Sequence, residues 1–443
     1  MTRPLPPTRT FGVFEMLRAM RDPRGAFTRA IARDGDPIVV KGPAGPLTIT
    51  ASPAGVREIF AGDPDAFGIY GHKQLAPFFG ATSLLLVAGA RHKRDRKLLA
   101  PPFHGARMRA YGATMASVAE RTIGAIPVGQ SFKMHEATQT ISLTVILQTV
   151  FGVSDDARVE RFRTATERLM ASIVSPMIHL FPSLRREFGG IGPWARFRRA
   201  SKAFDELMFE EIRTRRSGGA TGEDILGLLM NARFDDGTAM SDEDLRDELL
   251  VLLFAGHETT ASALAWAFYW LCTLPDEREK VLAEIDALGD RPGPEAIAAL
   301  PYLEAFCHET LRINPVVTEV GRLLLEPMQL MDCTVPTGNA VMASIMMLHD
   351  REDLYPEPRT FRASRFLERK FAPYEFIPFG GGARRCVGAA FAMYEMKVVL
   401  GTLLRKYRFR LVSDAPVVAA QRGVTWGPKG GIPMVVEGPR EST

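Results

Sequence analysis

The chain is poor in the residues that staple or clip small folds. Its 443 residues include four cysteines and eight histidines, and Cys272, Cys307, Cys333 and Cys386 stand far apart, none in a C-x-x-C pair. That spacing excludes a disulfide framework and a zinc knuckle, and it fits a reducing compartment. A dominant charge is also missing. Lys and Arg number 55 against 51 Asp and Glu, a net charge of +4, and the signs alternate in runs such as DEREKVLAEID. This argues against nucleic acid as the main partner. No Ser/Gly/Pro-rich or single-sign linker divides the sequence, so one large domain over 1–443 is expected, with about the first 29 residues a lead-in. Long apolar runs are absent as well. The run Leu249 to Ala255 gives way to Gly256, His257 and Glu258, and the N-terminal MTRPLPPTRTFGVFEML is broken by prolines at 4, 6 and 7. Neither reaches the length of a membrane span or reads as a signal peptide, so a cytosolic protein is expected.

What is present is mostly helical period. It runs through HEATQTISLTVILQTVF, ARFRRASKAFDELMFEEIRTRR and SDEDLRDELLVLLFAGHETTASALAWAFYWLC. In the last, Ser241 can cap the start, acidic residues fill the first turn and no proline intervenes before Pro275. One helix of roughly thirty residues follows, long enough that it must cross the interior. Strand signals are few: a hairpin over 37–52 around a Gly/Pro turn, then Ala340 to Ile345, Tyr407 to Val412 and Pro433 to Val436. The reading is a mainly α protein with a minor β region.

Near the C-terminus the chain reads Phe379-Gly-Gly-Gly-Ala-Arg-Arg-Cys386-Val-Gly388. Gly380, Gly381 and Gly382 permit a sharp turn and close backbone approach, and Arg384 and Arg385 favour thiolate over thiol. Taken alone, Cys386 is a metal ligand, a nucleophile or a small buried hydrophobe. The pattern F-x-x-G-x-R-x-C-x-G resembles the haem-ligand loop of the cytochrome P450 family, which implies that Cys386 is the thiolate ligand to the iron of haem b. The same resemblance implies the P450 fold from about residue 30 to the end, and sets Phe379, Gly382, Ala255 and Gly256 beside the haem.

Three further segments carry the resemblance. In the long helix, Ala255-Gly256-His257-Glu258-Thr259-Thr260 interrupts an apolar face. By itself Thr259 would bond back to the carbonyl four residues earlier. The segment is similar to the family's oxygen-activating A-G-x-(D/E)-T-T, which implies that Thr259 hydrogen-bonds bound oxygen and Glu258 relays protons. A zinc helix H-E-x-x-H is excluded because residue 261 is Ala. Glu309-Thr-Leu-Arg312 reads as an ordinary helical ion pair. It also matches the family's E-x-x-R, whose third member would be Arg365 in FRASRF, although Ala363 stands where proline is common. His92 and Arg96 share one helix face, and with Arg322 and Arg384 they would ordinarily be solvated surface charges. In the family's register the four are expected to hold the haem propionates. Arg94, Lys97 and Arg385 would then offer a basic face to an acidic electron donor.

The least family-like stretches are expected to meet the substrate: Phe67, Tyr70, Phe78 and Phe79, residues 170–184, Val316 and Val317, and Val424 with Thr425. Their apolar character implies a small apolar substrate, such as a fatty acid, terpenoid or similar lipid, with arginines near 185 as the one candidate anchor for a carboxylate. No flavin or iron–sulfur module accompanies the cysteine loop, so a separate ferredoxin and ferredoxin reductase would supply electrons to a monomer. The expected activity is monooxygenation. A haem-thiolate isomerase, dehydratase or peroxygenase, or a haem-dependent binder without turnover, is the alternative.

Overall fold

The longest element is the helix Asp242–Thr273, one residue displaced from its expected span. The Ser241 hydroxyl accepts the Asp244 N–H at 3.0 Å, and Asp242, Glu243 and Asp244 complement the positive end of the helix. Pro275, lacking an N–H, opens the next helix, Pro275–Asp286, where no donor is needed. The helices Met134–Val150, Pro301–Ile313 and Ala389–Lys406 all pack against this central helix. Among the described residues it alone is long and apolar enough to cross a membrane, but 61% of its apolar window is buried inside the protein, the condition of a core helix. This computed structural model describes residues 22–440 apart from 43–44, 104, 154, 174–184, 186–188 and 219–223, together with 4–6 and 8.

The β region is small and set to one side. Its largest sheet has five strands in the order Ile38–Gly42, Gly45–Thr50, Ala340–Ser344, Glu319–Leu324 and Phe67–Gly68. The first two form the expected hairpin, with Ile38 opposite Ile49. The strand Glu319–Leu324, which carries no clear alternation, was not expected; it pairs antiparallel with Ala340–Ser344. Three other short strands, Ser131–Lys133, Pro433–Pro439 and Tyr407–Leu411, form a second sheet, and Ala419–Arg422 pairs with Thr425–Pro428 as a late hairpin.

Phe67, expected near the substrate, pairs with Leu324, and its ring is buried with Ile59, Phe60 and Leu324 in the apolar cluster under the sheet. Residues 174–184 of the segment 170–184 lie outside the described residues, and 170–173 close the helix Asp156–Ile173.

Candidate active site

A helix whose flanking turns are buried should bury its middle, yet Ala255 is exposed while Leu253 and His257 on either side are covered. The small side chains there leave a notch in the helix surface. Gly256 is needed on the opposite side: a Cβ there would come within 2.7 Å of Ile146 on the helix Met134–Val150. The Thr259 hydroxyl donates to the Ala255 carbonyl at 2.5 Å, the back-bond that its position four residues on allows. Glu258 points to another junction. Its Oε2 accepts from Gln139 Nε2 at 2.7 Å, and its Oε1 lies 3.2 Å from Arg422 Nε and 3.6 Å from His135 Nε2. His135 in turn meets the Ser262 hydroxyl at 3.1 Å. Burial raises the Glu258 pKa, and the Gln139 and Arg422 contacts oppose that rise. Neither Gln139, His135 nor Arg422 carried a sequence signal, because each meets Glu258 only through the packing of separate elements.

The cysteine loop is closed by the Cys386 N–H donating to the Phe379 carbonyl at 2.9 Å. Its glycines serve a tighter purpose than expected. A Cβ at Gly381 would lie 2.2 Å from the Phe60 ring, and one at Gly382, where φ is +63°, would lie 2.2 Å from the Phe60 carbonyl oxygen. The loop is therefore pressed onto the helix Pro53–Ala61, which fixes where Cys386 stands. Of the four free cysteines Cys386 alone is exposed; burial pushes the Cys272 and Cys307 thiols up to about 12. Cys386 is accessible, and desolvation raises its pKa against the opposing pull of the Gly388 N–H, Arg385 and Arg96. Of the two arginines expected to favour the thiolate, Arg385 acts on the sulfur, and Arg96 joins it.

Beside the cysteine the structure gathers His92 and Arg96 from the helix Gly89–Leu99, Arg322 from the strand Glu319–Leu324 and Arg384 from the cysteine loop, three separate segments. His92 is 6% exposed, and its pKa is lowered to about 4 by burial and then by Arg384, Arg96 and Arg322. Arg322 and Arg384 are both pushed down to about 10, by burial first and by a neighbouring guanidinium second. They bond only to carbonyls: Arg96 to Arg385 O at 2.6 Å, Arg322 to Gly321 O at 2.9 Å, and Arg384 to Leu85 O and Val87 O. Among the described residues no carboxylate pairs with any of the four. Buried like charges without a counterion are costly. An accessible sulfur, an open helix notch and an uncompensated cationic cluster fit a group that binds thiolate and carries acidic arms.

The cytochrome P450 family model matches residues 4–433. The chain belongs to the cytochrome P450 family. Two Mycobacterium tuberculosis relatives are cytochrome P450 135B1, 37% identical over 82% of this chain and 76% of that protein, and cytochrome P450 138, 34% identical over 87% and 85%. In fold the protein is similar to the retinoic acid bound cyanobacterial CYP120A1, with a TM-score of 0.85, 23% identity and coverage of 98% and 99%. The cytochrome P450DA heme domain gives the same TM-score and identity. P450s are haem-thiolate monooxygenases, and the cationic cluster and accessible cysteine described above suit that iron cofactor and its two propionates.

The remaining expected residues fall in several places. Glu309 takes Arg312 in a two-pronged pair at 2.7 and 2.8 Å, and Arg365 Nε joins at 3.3 Å. Arg312 also reaches the His349 and Pro358 carbonyls, and Arg365 those of Pro356, Glu357 and Thr360, so the network braces the chain leading to the cysteine loop. Phe78 packs edge-on against Phe197 at 5.0 Å, with Arg185 over its ring, while Phe79 meets Phe254 of the central helix at 4.7 Å. Val316 is buried and its carbonyl accepts the Trp426 N–H at 2.7 Å. Val317 is half-buried. Thr425 is buried, its hydroxyl donating to Arg422 O at 3.0 Å. Of the expected donor-docking residues, Arg94 pairs with Asp95 and Lys97 with Asp235; Arg385 is exposed.

Proposed function

We propose that this P450 inserts one atom of dioxygen into an apolar organic substrate of lipid or terpenoid type, by hydroxylation or epoxidation. The observation that carries the reading is the accessible Cys386 beside buried His92 and three half-buried arginines, Arg96, Arg322 and Arg384, which have no carboxylate partner among the described residues. In it, Cys386 supplies the thiolate ligand, and His92, Arg96, Arg322 and Arg384 take the two propionates, with Phe379, Gly382, Ala255 and Gly256 around the ring. When bound, haem supplies the redox chemistry that activates dioxygen. The Gly388 N–H, Arg385 and Arg96 favour negative charge on the sulfur. The Thr259 hydroxyl, donating its hydrogen bond to the Ala255 carbonyl, keeps lone pairs that can accept from a water at the notch. Glu258, joined to the solvent-facing Arg422, supplies protons from outside, its raised pKa bringing it closer to working pH. Electrons come from a ferredoxin and its reductase. We place this chemistry in a cytoplasmic monomer forming one haem domain.

The test is the spectrum of the purified, dithionite-reduced protein with and without carbon monoxide. The red-shifted Soret band of thiolate-ligated haem is expected in the wild type and lost in Cys386→Ser; its survival in that variant would remove Cys386 as the ligand. With surrogate redox partners, Thr259→Ala is expected to lower product formed per electron consumed and to raise peroxide. Unchanged coupling would take Thr259 out of proton delivery.

A further inference from the structure

The late hairpin belongs to no larger sheet. Ala419–Arg422 pairs only with Thr425–Pro428, Arg422 facing Thr425 across the turn. Among the described residues one backbone hydrogen bond, from the Trp426 N–H to the Val316 carbonyl at 2.7 Å, joins these two strands to the rest of the chain. Their seat is the central helix. A Cβ at Gly427 would lie 3.0 Å from the Ser262 hydroxyl and 3.8 Å from His135 Nε2, so the second strand runs tight against the helix at a residue without a side chain. That seat brings Arg422 to Glu258, one turn before Ser262, and among the described residues Arg422 has no other carboxylate partner.

The two carboxyl oxygens of Glu258 are held unequally. Oε2 accepts a directed hydrogen bond from Gln139 Nε2 at 2.7 Å. Oε1 is buried and accepts none among the described residues: Arg422 Nε stands 3.2 Å away but off the bonding line, and His135 Nε2 is 3.6 Å away. Neither imidazole nearby carries charge at neutral pH. His135, from the helix Met134–Val150, has its pKa lowered to about 3 by burial and then by Arg422 and His257. His257, next to Glu258 on its own helix, is lowered to about 4 by burial. Arg422 thus supplies the positive charge at this carboxyl group, and Gln139 is the only other contact that opposes its desolvation.

We propose that Arg422 is a positioning residue for proton delivery: standing against Oε1, it keeps the Glu258 carboxylate charged and turned to the late hairpin, so that the seating of the hairpin governs when this acid takes up a proton. This rests on the assignment of Glu258 to proton supply above and deepens it. With Arg422 in place the carboxylate is the stable form. With the hairpin lifted, a buried carboxylate without a cation is costly, and the group takes a proton from solvent instead. That step moves one proton to a carboxylate oxygen and makes or breaks no other bond. Only the protonated group has an O–H to donate.

The experiment follows the infrared carbonyl band of the protonated Glu258 side chain, identified as the band absent from Glu258→Gln, as pH is varied in haem-loaded wild type, Arg422→Gln and Arg422→Lys. Arg422→Gln is expected to hold this proton about tenfold more tightly than wild type, the low end for loss of an adjacent opposite charge, because Arg422 is partly exposed. Arg422→Lys should restore most of the difference. Added salt should raise the wild-type midpoint and leave that of Arg422→Gln in place. Equal midpoints in wild type and Arg422→Gln, both keeping the thiolate-haem carbon monoxide spectrum, would overturn the proposal, as would equal rises in the Gln and Lys variants, which would assign the effect to packing and not to charge. With surrogate redox partners, the pH profile of product formed per electron should follow the same displaced midpoint. If the infrared midpoint moved and this profile did not, Arg422 would stand as the group that holds Glu258 charged, and the assignment of Glu258 to proton supply would fall.

Discussion

Replacing Glu309 by Gln keeps the volume and removes the one negative charge between two buried guanidinium groups. Arg312 is 0% and Arg365 3% exposed. Glu309 accepts from Arg312 twice, from Arg365 once and from the Arg362 N–H at 2.9 Å. The arginines keep their backbone carbonyls, so what disappears is the counter-charge, together with one acceptor oxygen replaced by an amide NH2 that faces other donors. Breaking a buried pair in this way costs about 3–5 kcal/mol, against a total stability of about 5–15 kcal/mol. Arg365→Leu should cost less, about 1–3 kcal/mol, because Glu309 keeps its two-pronged contact with Arg312 and loses only a 3.3 Å bond. The assay is urea unfolding, followed by far-ultraviolet circular dichroism, with haem retention measured beside it. The midpoint should fall without a change in slope. The double variant should be less destabilised than the sum, since the second change removes one of the stranded cations. A loss below about 1 kcal/mol for Glu309→Gln, or a larger loss for Arg365→Leu, would refute the view that this charge holds the segment.

Three other outcomes are expected. His349 is fully buried and its pKa falls from 6.5 to about 3, by burial and then Arg312, while its Nε2 accepts the Ile377 N–H at 3.0 Å. The unfolded chain therefore takes up a proton below pH 6.5 that the folded chain refuses, and stability present above that pH is lost as pH falls towards 3. His349→Gln, which keeps an acceptor for Ile377, should flatten the pH dependence of the urea midpoint between these values by about 1.4 kcal/mol per pH unit; an unaltered profile would mean that His349 is not held neutral. Gly382→Ala puts a Cβ against the Phe60 carbonyl at a left-handed φ and should lower haem content, whereas Gly388→Ala, with nothing within 4 Å of its Cβ, should not. Equal haem content in the two purified variants would contradict the packing argument. Arg322→Gln should leave the haem-free protein at least as stable, because it relieves like-charge repulsion, while weakening haem retention about tenfold or more. Haem transfer to apomyoglobin measures the second effect, and thermal melts of the haem-free protein the first.

Features set by neighbouring residues were legible in the sequence. Ser241 and the acids after it mark the start of the central helix, the Gly/Pro turn sets the first hairpin, and Cys386 announces itself through its glycines and arginines. Features made by distant residues were not. Phe67 reads as a loose aromatic until Leu324, far along the chain, pairs with it. Arg422 reads as a surface charge until the late hairpin carries it to Glu258. The reason for the glycines at 381 and 382 lay in Phe60, more than three hundred residues earlier.

The basic cluster beside Cys386 also makes the protein a discriminating acceptor among tetrapyrroles. A porphyrin whose two acid arms are esterified has the right ring and the right metal, yet it would leave Arg96, Arg322 and Arg384 without a counter-charge and His92 held neutral among them. Capture thus depends on the edge of the macrocycle as well as its centre. A chain that has failed to find its pigment remains electrostatically unfinished at the joint between three segments, which gives proteolytic turnover a physical basis for telling loaded molecules from empty ones.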